Sequence, residues 1–169
     1  MNKCKILFDA TELSYFLEES GHRAGVFFVA LNIFRELRKR KNIELVFYCN
    51  FKRYYFLKEV IDKVEEFQGI ELLKENSLIN LFFARLNDWA KFKNNKIKYA
   101  MLSFSRYYEN IFYKQNKKNL EQLKDFDIYF SPFQAPSEEI LNSKHLKRFR
   151  MLHDIIPVLE AGIIPSNRR

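Results

Sequence analysis

"KILFDA", residues 5–10, is a nearly continuous apolar run that closes on a carboxylate. An apolar run of strand length without polar alternation fits a strand buried on both faces, as in a parallel sheet covered by helices. The same grammar returns at "IELVFYCN" (43–50). Between the two, "VFFVALNIFRELRKRK" (26–41) sets Val26, Ala30, Ile33, Phe34 and Leu37 at helical spacing and ends on a basic turn that suits the helix dipole. Strand, helix and strand with short connections predict a βαβ crossover, hence parallel strands.

The pattern continues in both directions from there. "TELSYFLEESGHRAG" (11–25) reads as an irregular, polar connection. "FLKEVIDKVEEF" (56–67) is an amphipathic helix ended near Gly69, and "IELL" (70–73) is a third strand. Residues 77–123 are helical in pattern, aromatic and basic. "FDIYFSPF" (126–133) is a strand stopped by Ser-Pro, and Ser137 in "PSEEIL" is placed to cap a helix with acidic residues in its first turn. "FRML" (149–152) is the last strand, delivering His153 and Asp154 at its end. The expected fold is α/β: a Rossmann-like parallel sheet flanked by helices, with a basic aromatic helical insertion. It forms one domain over residues 1–169, with no internal repeat, low-complexity tract or dividing linker.

Bulk properties narrow the class. A hydrophobic fraction of 47% with 18 Phe and 9 Tyr excludes an intrinsically disordered chain. A net charge of +8 favours anionic partners, such as nucleic acid, acidic lipid headgroups or phosphorylated small molecules, although a Lys-, Asn- and Ile-rich composition bias raises the charge by itself. Cys4 and Cys49 have no metal-ligand spacing and fall at opposite ends of neighbouring strands, roughly 15 Å apart at about 3.3 Å per residue, too far for a disulfide. Reduced thiols imply a cytoplasmic setting. The apolar run in "MNKCKILFDA" is too short for a signal peptide, and no stretch is apolar enough to span a membrane.

Ligands of open parallel sheets bind outside the carboxyl ends of the strands. Three polar features gather at that edge: Asp9 with the loop after the first strand; "HRAG", with His22, Arg23 and Gly25 directly before the first helix; and His153-Asp154 after the last strand. Gly25 at a helix start permits close approach of a ligand to free amides, and Arg23 adds charge for an anion. The loop lacks a dinucleotide fingerprint or a P-loop. A neutral His153 imidazole can hold a sugar hydroxyl or relay a proton, with Asp154 orienting it or capping the next turn. His145 reads as a surface residue, and with only three histidines no metal-dependent His-Asp phosphohydrolase pattern forms.

The charge is concentrated. From Arg85 to Lys118 nine Lys or Arg stand against Asp88 and Glu109, a local +7 interleaved with Trp89, Phe92, Tyr99 and five further aromatics. Arg85, Trp89, Lys91, Lys93, Lys96 and Lys98 are the candidate anion or membrane surface, since basic helices with aromatic edges bind anionic bilayers. The same chemistry binds single-stranded nucleic acid by stacking, the less favoured partner. A helical pair with aromatic core and solvated lysines is the plain alternative.

Together, "ILFDATEL", "HRAGVFFVALNIFREL", "FDIYFSPF" and "MLHDIIPV" resemble the amino-terminal domain of group-one glycosyltransferases of the GT-B fold, in the bacterial surface-polysaccharide, mannosyltransferase-like branch. The resemblance implies one half of a GT-B fold, the acceptor side, facing a second Rossmann-like domain that binds the nucleotide-sugar. It places Gly25 and Arg23 near the donor diphosphate and His153 near the transferred sugar. It implies retention of anomeric configuration, no metal at the catalytic centre, no cofactor beyond the nucleotide-sugar substrate, a glycan or lipid-linked acceptor, and peripheral attachment to the inner face of the membrane. Two features depart from the pattern: paired glycines are replaced by Gly25 almost alone, and the E-x7-E motif of the second domain is missing. Glu36 and Glu44 have that spacing only by accident. The chain is therefore expected to be a fragment or a split enzyme, inactive without its complement. A non-enzymatic basic module for membranes or nucleic acid, and a truncated product without activity, are the competing expectations.

Overall fold

The computed structural model describes residues 3–18, 25–75, 78–90 and 121–151, with the side chains of 79 and 87–90 left aside. Five strands form one sheet: β1 (Cys4–Asp9), β2 (Ile43–Tyr48), β3 (Glu71–Leu72), β4 (Ile128–Ser131) and β5 (Lys147–Arg150). Their order is β3-β2-β1-β4-β5, and every pairing is parallel. The chain is thus α/β with a Rossmann-like parallel sheet, as the apolar runs predict. Helices α1 (Gly25–Arg38), α2 (Tyr54–Lys63), α3 (Leu78–Ala90) and α4 (Glu138–Asn142) complete the described elements, with one-turn 3-10 helices at Glu12–Tyr15, Phe51–Arg53, Glu65–Phe67 and Gln122–Asp125.

Successive residues of β1 point to opposite faces, and each face has its own core. Phe8 joins Phe47, the α1 side chains Phe27, Ala30, Leu31 and Phe34, and Leu57, Val60 and Phe67. Leu7 joins Val46, Leu123, Phe126, Tyr129, Ile140 and Leu146. The buried stripe of α1 is therefore Phe27–Ala30–Leu31–Phe34, one residue round from the expected one, while Ile33 and Leu37 are partly buried at its margin. In register across the sheet run Leu72, Phe47, Phe8, Phe130 and Phe149. Phe8 and Phe130 stack at 5.8 Å with 13° between their planes.

Three boundaries differ from the sequence reading. Residues 12–15 of the polar connection form a 3-10 turn whose Leu13 and Ser14 are buried. The second helix ends at Lys63, because a separate turn at Glu65–Phe67 folds Phe67 into the core. The last strand is Lys147–Arg150 rather than 149–152, and all four residues are exposed. Among the described residues it is the edge of the sheet, where no apolar run is needed. Ser137 does hold the position before α4, but its side chain makes no capping bond and its Oγ is buried without a partner among the described residues. The expected helical stretch 77–123 is described for α3 and for the turn at Gln122–Asp125; residues 91–120, with Lys91, Lys93, Lys96 and Lys98, lie outside the described residues. Among the described residues no helix is long and apolar enough to cross a membrane.

Candidate functional site

The chain runs outward from β1 to β2 and β3 on one side and from β4 to β5 on the other. Adjacent strands β1 and β4 therefore send their connections in opposite directions, which opens a crevice at their carboxyl ends. Asp9 is the last residue of β1, at that edge of the sheet. Its carboxylate faces inward and is only 3% exposed. Oδ1 accepts from the Thr11 amide at 3.1 Å and the Thr11 hydroxyl at 2.7 Å, and Oδ2 accepts from the Tyr129 hydroxyl at 2.8 Å. Ser131 Oγ lies 3.4 Å from Oδ2 but 2.8 Å from the Gln134 carbonyl, so its single proton goes to Gln134.

Burial governs the electrostatics of this cluster. It pushes the Asp9 carboxyl above its usual value, and the hydrogen bonds from Thr11 and Tyr129 offset only part of that shift. It raises the Tyr129 phenol as well, helped by the negative charge of Asp9. The neighbouring Cys49 thiol is driven up by the same two causes, so it is an inert buried thiol rather than a nucleophile. Asp9 is thus the hub that ties β1 to β4, not a carboxylate presented to the crevice.

A second network extends from this hub along the rim. Thr11 Oγ1 accepts from the Asn50 amide at 3.2 Å, joining the ends of β1 and β2. Ser14 Oγ donates to the Thr11 carbonyl at 2.6 Å and accepts from Arg53 Nε at 2.8 Å. The Arg53 guanidinium lies between two rings, 3.8 Å from the Tyr15 centroid and 4.2 Å from that of Phe56, and its Nη2 reaches Glu18 at 2.6 Å. Gln134 Nε2 donates to Glu12 Oε1 at 2.8 Å, bridging the crevice from the loop after β4 to the turn after β1. Sequence reasoning missed Thr11, Tyr129, Ser131, Gln134 and Arg53. Only the arginine inside the aromatic run "FKRYYF" (51–56) gave a signal that was there to be read.

Gly25 opens α1 and is exposed, and among the described residues no atom comes within 4 Å of the position a Cβ would take. Neither packing against the described residues nor a left-handed backbone requires glycine here. His22, Arg23, His153 and Asp154 lie outside the described residues. His145 is exposed, with Nε2 2.9 Å from the Leu123 carbonyl oxygen. Arg85 sits over the Tyr55 ring at 4.8 Å, on the flank where α3 packs against α2. Trp89 belongs to α3.

An open groove of about 420 Å³ lies elsewhere, along α1, lined by Asn32, Arg35, Glu36, Arg38, Lys39 and Glu66. Its arginines are engaged: Arg35 pairs with Glu66, and Arg38 donates to the carbonyls of Glu66 and Gln68. Among the described residues no group of three His, Cys, Asp or Glu side chains is arranged to hold a metal ion. No family model matches the chain, and neither a curated protein nor a solved structure is found similar to it.

Proposed function

We propose that this chain is the acceptor-side half of a retaining glycosyltransferase of the GT-B type, moving a sugar from a nucleotide-sugar to a glycan or lipid-linked acceptor in surface-polysaccharide synthesis. The observation that carries the reading is Gly25: a glycine at the first position of the helix after β1, with no described atom within 4 Å of where a side chain would start. A helix start on the connection that leaves the carboxyl end of β1 suits a phosphate-bearing ligand, because first-turn amides and the dipole favour an anion there. On this reading Arg23 adds charge, while His153 holds a hydroxyl of the transferred sugar or relays a proton, oriented by Asp154. A second domain, in the same polypeptide or a partner, supplies the facing wall and most donor contacts. The Asp9 hub holds the crevice floor in place and takes no part in the chemistry.

Amide mapping tests this. The chain is titrated in detergent with a short polyprenyl-phosphate-linked glycan, and separately with UDP-glucose and GDP-mannose. Shifts clustered at Ala10–Glu12, Gly25–Phe27 and His153 are expected with the lipid-linked glycan. A chain that responds to none of the three ligands is not this half of a transferase.

A second reading, a basic module seated on the inner face of an anionic membrane, is favoured by one flank of α3. There Leu78 and Phe82, one helical turn apart, are 82% and 58% exposed beside Arg85. Both readings hold together if the transferase is peripheral and cytoplasmic. Co-sedimentation with phosphatidylglycerol vesicles, weakened by salt and lost with phosphatidylcholine alone, is the expected result. Equal binding to both lipids would remove the electrostatic part of this reading.

A further inference from the structure

Among the described residues the outer edge of β5 is an open template. Lys147 N donates to the Asp127 carbonyl and Met151 N to the Ser131 carbonyl, so the odd-numbered residues of this strand turn their backbone groups toward β4. The amides and carbonyls of Arg148 and Arg150 consequently point away from the sheet, and no other described strand pairs with them. The side chains around this edge are of two kinds. Arg148 reaches the carbonyls of Ile140 and Leu141, and Arg150 that of Phe133, which leaves both guanidiniums on the α4 side without a carboxylate partner among the described residues. Phe149 continues the aromatic row Phe47–Phe8–Phe130 onto the α1 side, where it is 53% exposed, with Met151 37% exposed next to the strand end.

We propose that β5 is a docking strand for an extended protein segment in which acidic and apolar residues alternate. Main-chain pairing with Arg148 and Arg150 supplies the ladder. Apolar side chains of the incoming strand cover Phe149 on one face, and acidic ones meet Arg148 and Arg150 on the other. Charge decides between occupants: a second copy of this chain would set Lys147, Arg148 and Arg150 against the same three cations, which like charges across a sheet disfavour. The inference does not depend on the transferase reading; it identifies the chemistry of a protein partner, whatever reaction the partner serves.

Backbone hydrogen exchange of the whole chain decides the matter, with the peptide Glu-Val-Glu-Ile-Glu-Val-Glu as probe and its lysine counterpart as control. In the free protein the Arg148 and Arg150 amides are expected to exchange quickly and those of Lys147, Phe149 and Met151 to be protected. The acidic peptide is expected to slow Arg148 and Arg150 by about tenfold or more, an effect that salt diminishes and the lysine peptide does not reproduce. Arg150→Glu should weaken the acidic peptide and admit the basic one, and Phe149→Thr should weaken the acidic peptide at an unchanged unfolding midpoint. No slowing by the acidic peptide, or equal slowing by both peptides, overturns the proposal. So does protection of these two amides in the free monomer, which means the chain covers its own edge, or protection that grows with protein concentration, which means a second copy does.

Discussion

The Tyr129 hydroxyl donates to Oδ2 of Asp9 at 2.8 Å, joining the carboxyl ends of two adjacent strands whose residues are 120 apart in the chain. Both side chains are buried, at 1% and 3% exposure. Tyr129→Phe leaves the ring in the core and removes one donor from a carboxylate that has few. The expected loss is about 1–3 kcal/mol, the usual consequence of leaving a buried acceptor short of a partner. Urea unfolding measures it, and an unchanged midpoint would mean that the bond does not form in solution.

Asp9 also sets a pH dependence. Its carboxyl is raised above the usual 3.8 in the folded chain, chiefly by burial, so the native state holds the proton more tightly than the unfolded state does. The resulting stabilisation is complete below the unfolded value and disappears as pH rises through the folded one. Asp9→Asn keeps an acceptor for Thr11 and cannot ionise. The stability of the variant relative to the parent should therefore climb as pH is raised from that lower limit, then level off. Denaturant titrations across the acid range check the sign; a difference that falls with pH would show that the carboxyl is depressed instead.

Arg53 is the keystone of the rim. Its guanidinium lies between Tyr15 and Phe56, bonds Ser14 and pairs with Glu18, with the two charged side chains only 16% and 15% exposed. Arg53→Ala is expected to cost about 2–4 kcal/mol through the stranded Glu18 carboxylate and the lost ring contacts. Arg53→Lys should recover little of it, because an ammonium has no planar fork to fit between two rings while bonding both partners. Full rescue by lysine in thermal unfolding would reduce Arg53 to a simple point charge.

Gly25 separates function from folding. An alanine at that position meets no described atom, and replacing a flexible glycine by alanine at a compatible site stabilises by about 0.4–1 kcal/mol. Gly25→Ala should therefore melt at or above the parent temperature while losing the response to the lipid-linked glycan. Loss of both together would make the glycine a structural one.

The elements legible in the sequence are those whose burial is local. β1, β2 and β4 show as apolar runs, and α1 as a periodic stripe, because each is covered on its own faces. β5 differs from the expected 149–152 because an edge strand carries no burial pattern; its "KRFR" looks like surface. The second helix is shorter than its sequence pattern because Phe67 reads as periodic although a separate turn delivers it. Asp9 was visible as a polar strand end, but its inward orientation depends on Tyr129, a partner that local pattern cannot reveal. The rim network was illegible for the same reason: Arg53 and Gln134 find Ser14 and Glu12 only after the sheet has formed.

The stacked pair Phe8–Phe130 has a consequence for how the chain acquires its shape. β1, α1, β2, α2 and β3 are built from neighbours in sequence, whereas Phe130 reaches Phe8 only by closing a loop that spans most of the chain. Contacts at such separation carry a large closure entropy and slow folding relative to local ones. The β1/β4 crevice therefore cannot form until β4 has emerged, and a ribosome that has not yet released β4 holds a nascent chain without that crevice.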